Sequence, residues 1–129
     1  MRRHAAVPFV DTLHLEDEIT RATVSEFERW RAGGCKVPSD LDEDRASFFD
    51  LIRTAATTTS MYVMGNYVAD TNPWVRLALA LNPSAYPVIL WGDGEVDFGL
   101  AQDRNSWVRT AVLYRDPAPP AHIRAALSK

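Results

Sequence analysis

The most constraining feature of this sequence is that it nearly repeats itself at an offset of 33 residues. Asn72-Pro73-Trp74-Val75-Arg76-Leu77-Ala78-Leu79 reads against Asn105-Ser106-Trp107-Val108-Arg109-Thr110-Ala111-Val112, and six of the eight pairs are identical or close. Each copy then meets a proline turn, Asn82-Pro83 or Asp116-Pro117, and continues into a second short apolar segment, 88–91 or 123–127. Self-similarity at a period of about 20–50 residues marks a chain built from stacked supersecondary units.

The chemistry inside each unit predicts a short helix pair. Asn72 and Asn105 are good helix N-caps, and Pro73 sits at the first helical position, where its missing N–H leaves nothing unpaired. The apolar run 74–81 suits a helix buried on several sides. The prolines then stop it, because proline drives the preceding residue out of the α region. A second helix starts after Pro87 in one unit and after Pro119-Pro120 in the other. Val75 with Val108, and Ala78 with Ala111, are expected at matching buried positions.

The texts Pro73-Trp74-Val75-Arg76-Leu77-Ala78-Leu79-Ala80-Leu81-Asn82-Pro83 and Trp107-Val108-Arg109-Thr110-Ala111-Val112-Leu113-Tyr114-Arg115-Asp116-Pro117 resemble the leucine-rich repeat variant family. That family is similar in shape to HEAT and armadillo arrays. The resemblance covers residues 72–129, with Val68-Ala69-Asp70 resembling the tail of an earlier, degenerate unit. It implies an all-α, short HEAT-like helical solenoid, a binding or scaffolding role, and no catalytic residues. The extra length here falls in 92–99. One member of the family carries an iron–sulfur cluster on several cysteines. Cys35 is the sole cysteine of this chain, so neither that cofactor nor any other is implied.

The first half is expected to be a helical cap, residues 1–70, on the two repeats of 71–129, within a single domain of 129 residues. Its first helix is predicted over 16–31, with Ile19, Ala22, Thr23, Phe27 and Trp30 on one face and Gly33-Gly34 ending it. A second is predicted from Ser39 or Asp40, with Ser39 and Asp42 resembling a capping box. Ala46, Phe49, Ile52, Arg53 and Ala56 share its inner face, and Thr57-Thr58-Thr59-Ser60 interrupt it. A third covers Met61 to Asp70, with Met61, Met64, Tyr67 and Val68 inward.

Charge narrows the function. Residues 1–70 carry a net −4 and residues 71–129 a net +1, for −3 overall. Phosphate neutralisation needs clustered Lys/Arg, so nucleic-acid binding is the weaker expectation. No apolar run reaches the roughly 18–20 residues that cross a bilayer, and the apolar stretch 5–10 is shorter than a secretion signal. No membrane association and a cytoplasmic location are therefore expected. The arginine- and alanine-rich usage suits GC-rich codons, as in a bacterium or its phage.

Candidate binding residues come from the repeat and its insertion. Arg76 and Arg109 recur at one place, each two residues after Trp74 or Trp107. Two residues are roughly 200° apart around a helix, so one pair is expected to form a surface ladder. Two readings are open. The arginines line a binding face with Trp74 and Trp107 as hot-spot neighbours. Alternatively they bond helix carbonyls, Asp70 or Asp103, and the tryptophans are core. Trp91 and Phe98 flank the loop 92–99, read as a flexible insertion lining the binding side. Arg104 and Arg115 complete the set. Asp93, Glu95 and Asp97 lack the glycine and glutamate spacing of a calcium loop. Asp40, Asp42, Glu43 and Asp44 suit a helix start or a dock for a basic partner. Cys35 beside Lys36 is a plain loop cysteine or a thiol of lowered pKa. His4, His14 and His122 have no metal spacing, and no Gly-x-Ser-x-Gly, Gly-x-Gly-x-x-Gly or Walker motif exists.

These observations lead to a non-catalytic adaptor or regulator that binds another protein. The alternatives are a nucleic-acid-binding helical repeat and a small enzyme with no recognisable motif. Self-association through the C-terminal repeat edge is a further expectation.

Overall fold

The structure, a computed structural model, describes residues 19–36, 41–93, 96–115 and 119–127. These residues form seven α-helices and one 3-10 turn, and none of them is in a strand. The chain is therefore all-helical across what is described. The helices are α1 (Arg21–Ala32), α2 (Glu43–Thr57), α3 (Met61–Tyr67), α4 (Pro73–Ala80), α5 (Pro87–Trp91), α6 (Ser106–Leu113) and α7 (Ala121–Leu127), with the 3-10 turn at Gly99–Gln102 between α5 and α6.

The first two helices of the first half start later than the sequence predicts, and the third starts at Met61 as predicted. Thr20 is extended and caps α1 through a reciprocal pair, Thr23 N–H to Thr20 Oγ1 at 3.3 Å and Thr20 N–H to Thr23 Oγ1 at 2.8 Å. Residues 16–18 lie outside the described ones. Ile19, Thr23, Phe27 and Trp30 are buried as their spacing requires. Asp42, not Ser39, caps α2, its Oδ1 accepting the Arg45 N–H at 2.9 Å. Ser39 and Asp40 lie outside the described residues. Phe49, Ile52, Ala55 and Ala56 face the core, whereas Arg53 is turned out to pair with Asp50. The threonine run ends α2 at Thr57. Here Thr54 and Thr57 direct their hydroxyls to the carbonyls of Asp50 and Arg53. α3 stops at Tyr67 rather than Asp70, and it buries Met64 while leaving Met61 exposed.

The second half follows the repeat closely. Asn72 Oδ1 accepts the Trp74 N–H at 2.8 Å and Asn105 Oδ1 accepts the Trp107 N–H at 2.9 Å, so the two N-caps superpose in chemistry. All eight residues of α4 are buried, because α2, α3 and α6 pack around it. Asn82 does more than end that helix. It is fully buried and donates from Nδ2 to Ala55 O at 3.0 Å and Thr58 O at 2.8 Å, tying α4 to the end of α2. One hydrophobic cluster runs from Ile19 through Val112. Val75 and Val108 both lie in it, as the repeat predicts, and Ala78 is buried too. Ala111, its counterpart, is only half-buried. Among the described residues no helix is long and apolar enough to cross a membrane.

Candidate functional site

The recurring arginines reach inward. Arg76 donates from Nη1 to Asp70 O at 2.6 Å, and forks onto the carboxylate of Asp103 through Nε to Oδ2 at 2.7 Å and Nη2 to Oδ1 at 3.1 Å. The same Asp103 Oδ1 accepts the Asn105 N–H at 2.8 Å, as Asp70 Oδ1 accepts the Asn72 N–H at 2.8 Å. Arg109 Nη1 donates to Asp103 O at 2.7 Å, the counterpart of the Arg76–Asp70 bond. The structural repeat thus begins at Asp70 and Asp103 and reads Asp-x-Asn-x-Trp-Val-Arg. In the first unit the arginine bonds a carbonyl and Asp103 while Trp74 is core, which is the second of the two readings the sequence left open.

Arg76 is 2% exposed and Trp74 is 0% exposed. The expectation that one of the two faces solvent therefore fails in the first unit. The angular argument presumes a helix with an outer side, and α4 has none. Neither residue offers a surface to a partner in this arrangement. In the second unit Trp107 and Arg109 are both half-buried, because α6 has an open flank.

That flank is one wall of a cleft of about 410 Å³. Trp107, Thr110, Ala111 and Tyr114, at helical spacing along α6 and its end, form this wall. Val24, Glu28 and Arg31, likewise spaced on the outer face of α1, form the other. Leu81, Pro83 and Arg115 close the base. The Arg21 guanidinium stands 5.8 Å from the Trp107 ring centroid, within cation–π range. Arg115 Nη1 donates to Ala80 O at 2.8 Å, capping the end of α4. Burial, and after it the charge of Arg31, push the Arg115 guanidinium below its ordinary pKa. Tyr114 is 80% exposed at the rim.

Of the residues singled out from sequence, Trp107 and Arg115 meet in this cleft. Arg104 is exposed beside the Thr71 carbonyl. Trp91 is half-buried against the core, Phe98 is half-buried, and neither lines the cleft. The described residues of the loop between them bond to one another through their own carboxylates. Asp93 Oδ1 accepts the N–H groups of Val96 and Asp97 at 3.0 and 3.1 Å, and Asp97 Oδ1 accepts the Gly99 N–H at 2.9 Å. Gly92 has φ 57°, and a Cβ there would collide with the Asp97 carbonyl. Glu95 lies outside the described residues.

Sequence reasoning missed Arg31, Tyr114 and the α1 wall. The Val24-Glu28-Arg31 spacing opposite the buried face of α1 was the available signal, but nothing local to α1 indicates that α6 stands across from it. Among the described residues no group of three His, Cys, Asp or Glu side chains is placed to hold a metal ion. His122 is exposed on α7, while His4 and His14 lie outside the described residues. Cys35 is buried, and burial pushes its thiol up against the opposing charges of Arg31 and Arg53. It is not the lowered-pKa thiol that Lys36 suggested. Comparison of the chain with family models, with curated proteins and with solved structures gave no match.

Proposed function

We propose that this protein is a non-catalytic adaptor or regulator, a HEAT-like helical repeat of the leucine-rich-repeat-variant kind, that binds another protein in the cleft between α1 and α6. The observation that carries this reading is the cleft itself. Its lining includes Trp107, Val24 and Leu81, two arginines, Arg31 on the α1 wall and Arg115 at the base, and the exposed Tyr114. Aromatic residues and arginine are the side chains that supply most interface binding energy. The matching caps, the proline-ended turns and the contact of α4 with α6 support the repeat reading. The binding surface on this reading is Trp107, Tyr114 and Arg115, with Trp74 and Arg76 holding the units beneath it.

Capture from a lysate with immobilised protein tests this. The wild type and a Tyr62→Ser control, altered at an exposed tyrosine on α3, are expected to retain the same partner. Tyr114→Ser and Arg115→Gln are expected to recover at least roughly tenfold less, as loss of a hot spot implies. Equal recovery by all four proteins contradicts the assignment of the cleft.

Aromatic residues beside arginines also suit stacked bases of single-stranded nucleic acid. The net charge of −3 opposes that second reading. Oligothymidine binding that weakens steeply between two salt concentrations is the result that favours it.

A further inference from the structure

We infer that Arg31 and Arg115 form an oxyanion subsite in the α1–α6 cleft, which takes a carboxylate side chain of a partner polypeptide set next to an aromatic or aliphatic residue. The inference rests on the adaptor reading above and names the chemistry of what the cleft accepts.

Comparison with Arg76 carries the argument. Arg76 is buried with a carboxylate forked onto Nε and Nη2 and a backbone carbonyl on Nη1. Arg31 and Arg115 are brought to one cleft without such a partner. Among the described residues neither forms an ion pair, and the Nε atom of each is buried with no hydrogen-bond acceptor. Arg115 has the Ala80 carbonyl on Nη1, a neutral acceptor and not a counter-anion. Glu28 is on the wall but exposed, and pairs with neither arginine. Two like charges in a partly desolvated cleft repel, and an anion between them removes that cost. Trp107, Val24 and Leu81 then offer apolar surface within the same cleft, which a bare inorganic ion does not use. A carboxylate beside an apolar side chain satisfies both halves.

The test is ¹⁵N NMR of the arginine Nε–Hε groups in the full chain, titrated with the acetylated dipeptide amide phenylalanyl-aspartate. Its control is phenylalanyl-asparagine, which differs only in lacking the charge. The aspartate peptide is expected to move the Arg31 and Arg115 signals together and saturably, with at least tenfold weaker binding of the asparagine peptide. Arg31→Gln, a residue with no hydrogen bond to lose, is expected to keep the melting temperature and weaken the aspartate peptide tenfold or more. Unmoved signals, or equal binding of the two peptides, overturn the subsite. Inorganic phosphate binding as tightly as the aspartate peptide overturns the polypeptide carboxylate assignment, as does tighter binding of oligothymidine. The two claims fail separately. If lysate capture depends on Tyr114 while the peptides do not discriminate, the cleft stands and the subsite falls. If the peptides discriminate while capture ignores the cleft, the subsite stands and the adaptor reading falls.

Discussion

The two copies of Asp-x-Asn-x-Trp-Val-Arg make the same local bonds and have different surroundings. In both, the aspartate turns the chain, the asparagine caps the helix and the arginine reaches back to the aspartate's carbonyl. Among the described residues only Arg76 also holds a carboxylate, that of Asp103, supplied by the following unit. Only Trp74 is enclosed on every side. Trp107 and Arg109 keep the local bonds of the motif, but their helix has an open flank, and the cleft lies along it. A repeated residue is therefore fixed locally by its own turn. What it does for the molecule is decided by the next layer: α4 has helices on all sides and is scaffold, while α6 has one free side and is surface.

Substituting matched positions is the way to break this comparison. The largest difference is expected at the tryptophans. Trp74→Ala leaves a buried cavity and should cost about 3–5 kcal/mol, measured by urea denaturation. Trp107→Ala, half-buried at the cleft wall, should cost less than half as much and instead reduce partner binding. Equal costs at the two positions would make the flank of α6 as closed as α4.

Asn82 comes next. Asn82→Ala strips its side-chain bonds from the carbonyls of Ala55 and Thr58 and should cost about 1–3 kcal/mol, the usual penalty for orphaned buried acceptors. The smallest effects are expected at the caps. Asn72→Ala and Asn105→Ala should each cost about 1 kcal/mol and match one another, since cap chemistry is the part of the motif the two units share. A cap that is several-fold more costly in one unit would show that even the local bonds depend on the neighbouring layer.

The parts of the fold legible in the sequence are those governed by a few adjacent residues. Asn72-Pro73 fixed the start of α4, Asn105 that of α6, Pro87 that of α5, and the threonine run the end of α2. The start of α1 was misplaced because Glu16, Asp17 and Glu18 suit a first turn wherever it falls, and that of α2 because Ser39 and Asp42 stand at capping-box spacing. Only the extended backbone at Thr20 and Asp42 decides which turn is first. The site was legible in pieces, as Trp107 and Arg115. It was not legible as a cleft, because Arg31 stands 84 positions before Arg115. No periodicity along one helix reports which helix faces it. The scaffold reading of Arg76, bonded to carbonyls or to Asp103, was open in the sequence, and the forked pair with Asp103 of the next unit decides for it.

The most direct test of the difference between the units is a pair of double-mutant cycles sharing Asp103. In one, Arg76→Met is combined with Asp103→Leu; in the other, Arg109→Met is combined with Asp103→Leu. Stability is measured by urea denaturation for each single and double variant. The buried forked pair predicts a coupling of about 2–3 kcal/mol between Arg76 and Asp103. Arg109 uses only the backbone carbonyl of Asp103, which the substitution leaves in place, so its coupling should lie within about 0.5 kcal/mol of zero. Equal couplings in the two cycles would contradict the account, because Arg76 would then hold Asp103 no differently from Arg109.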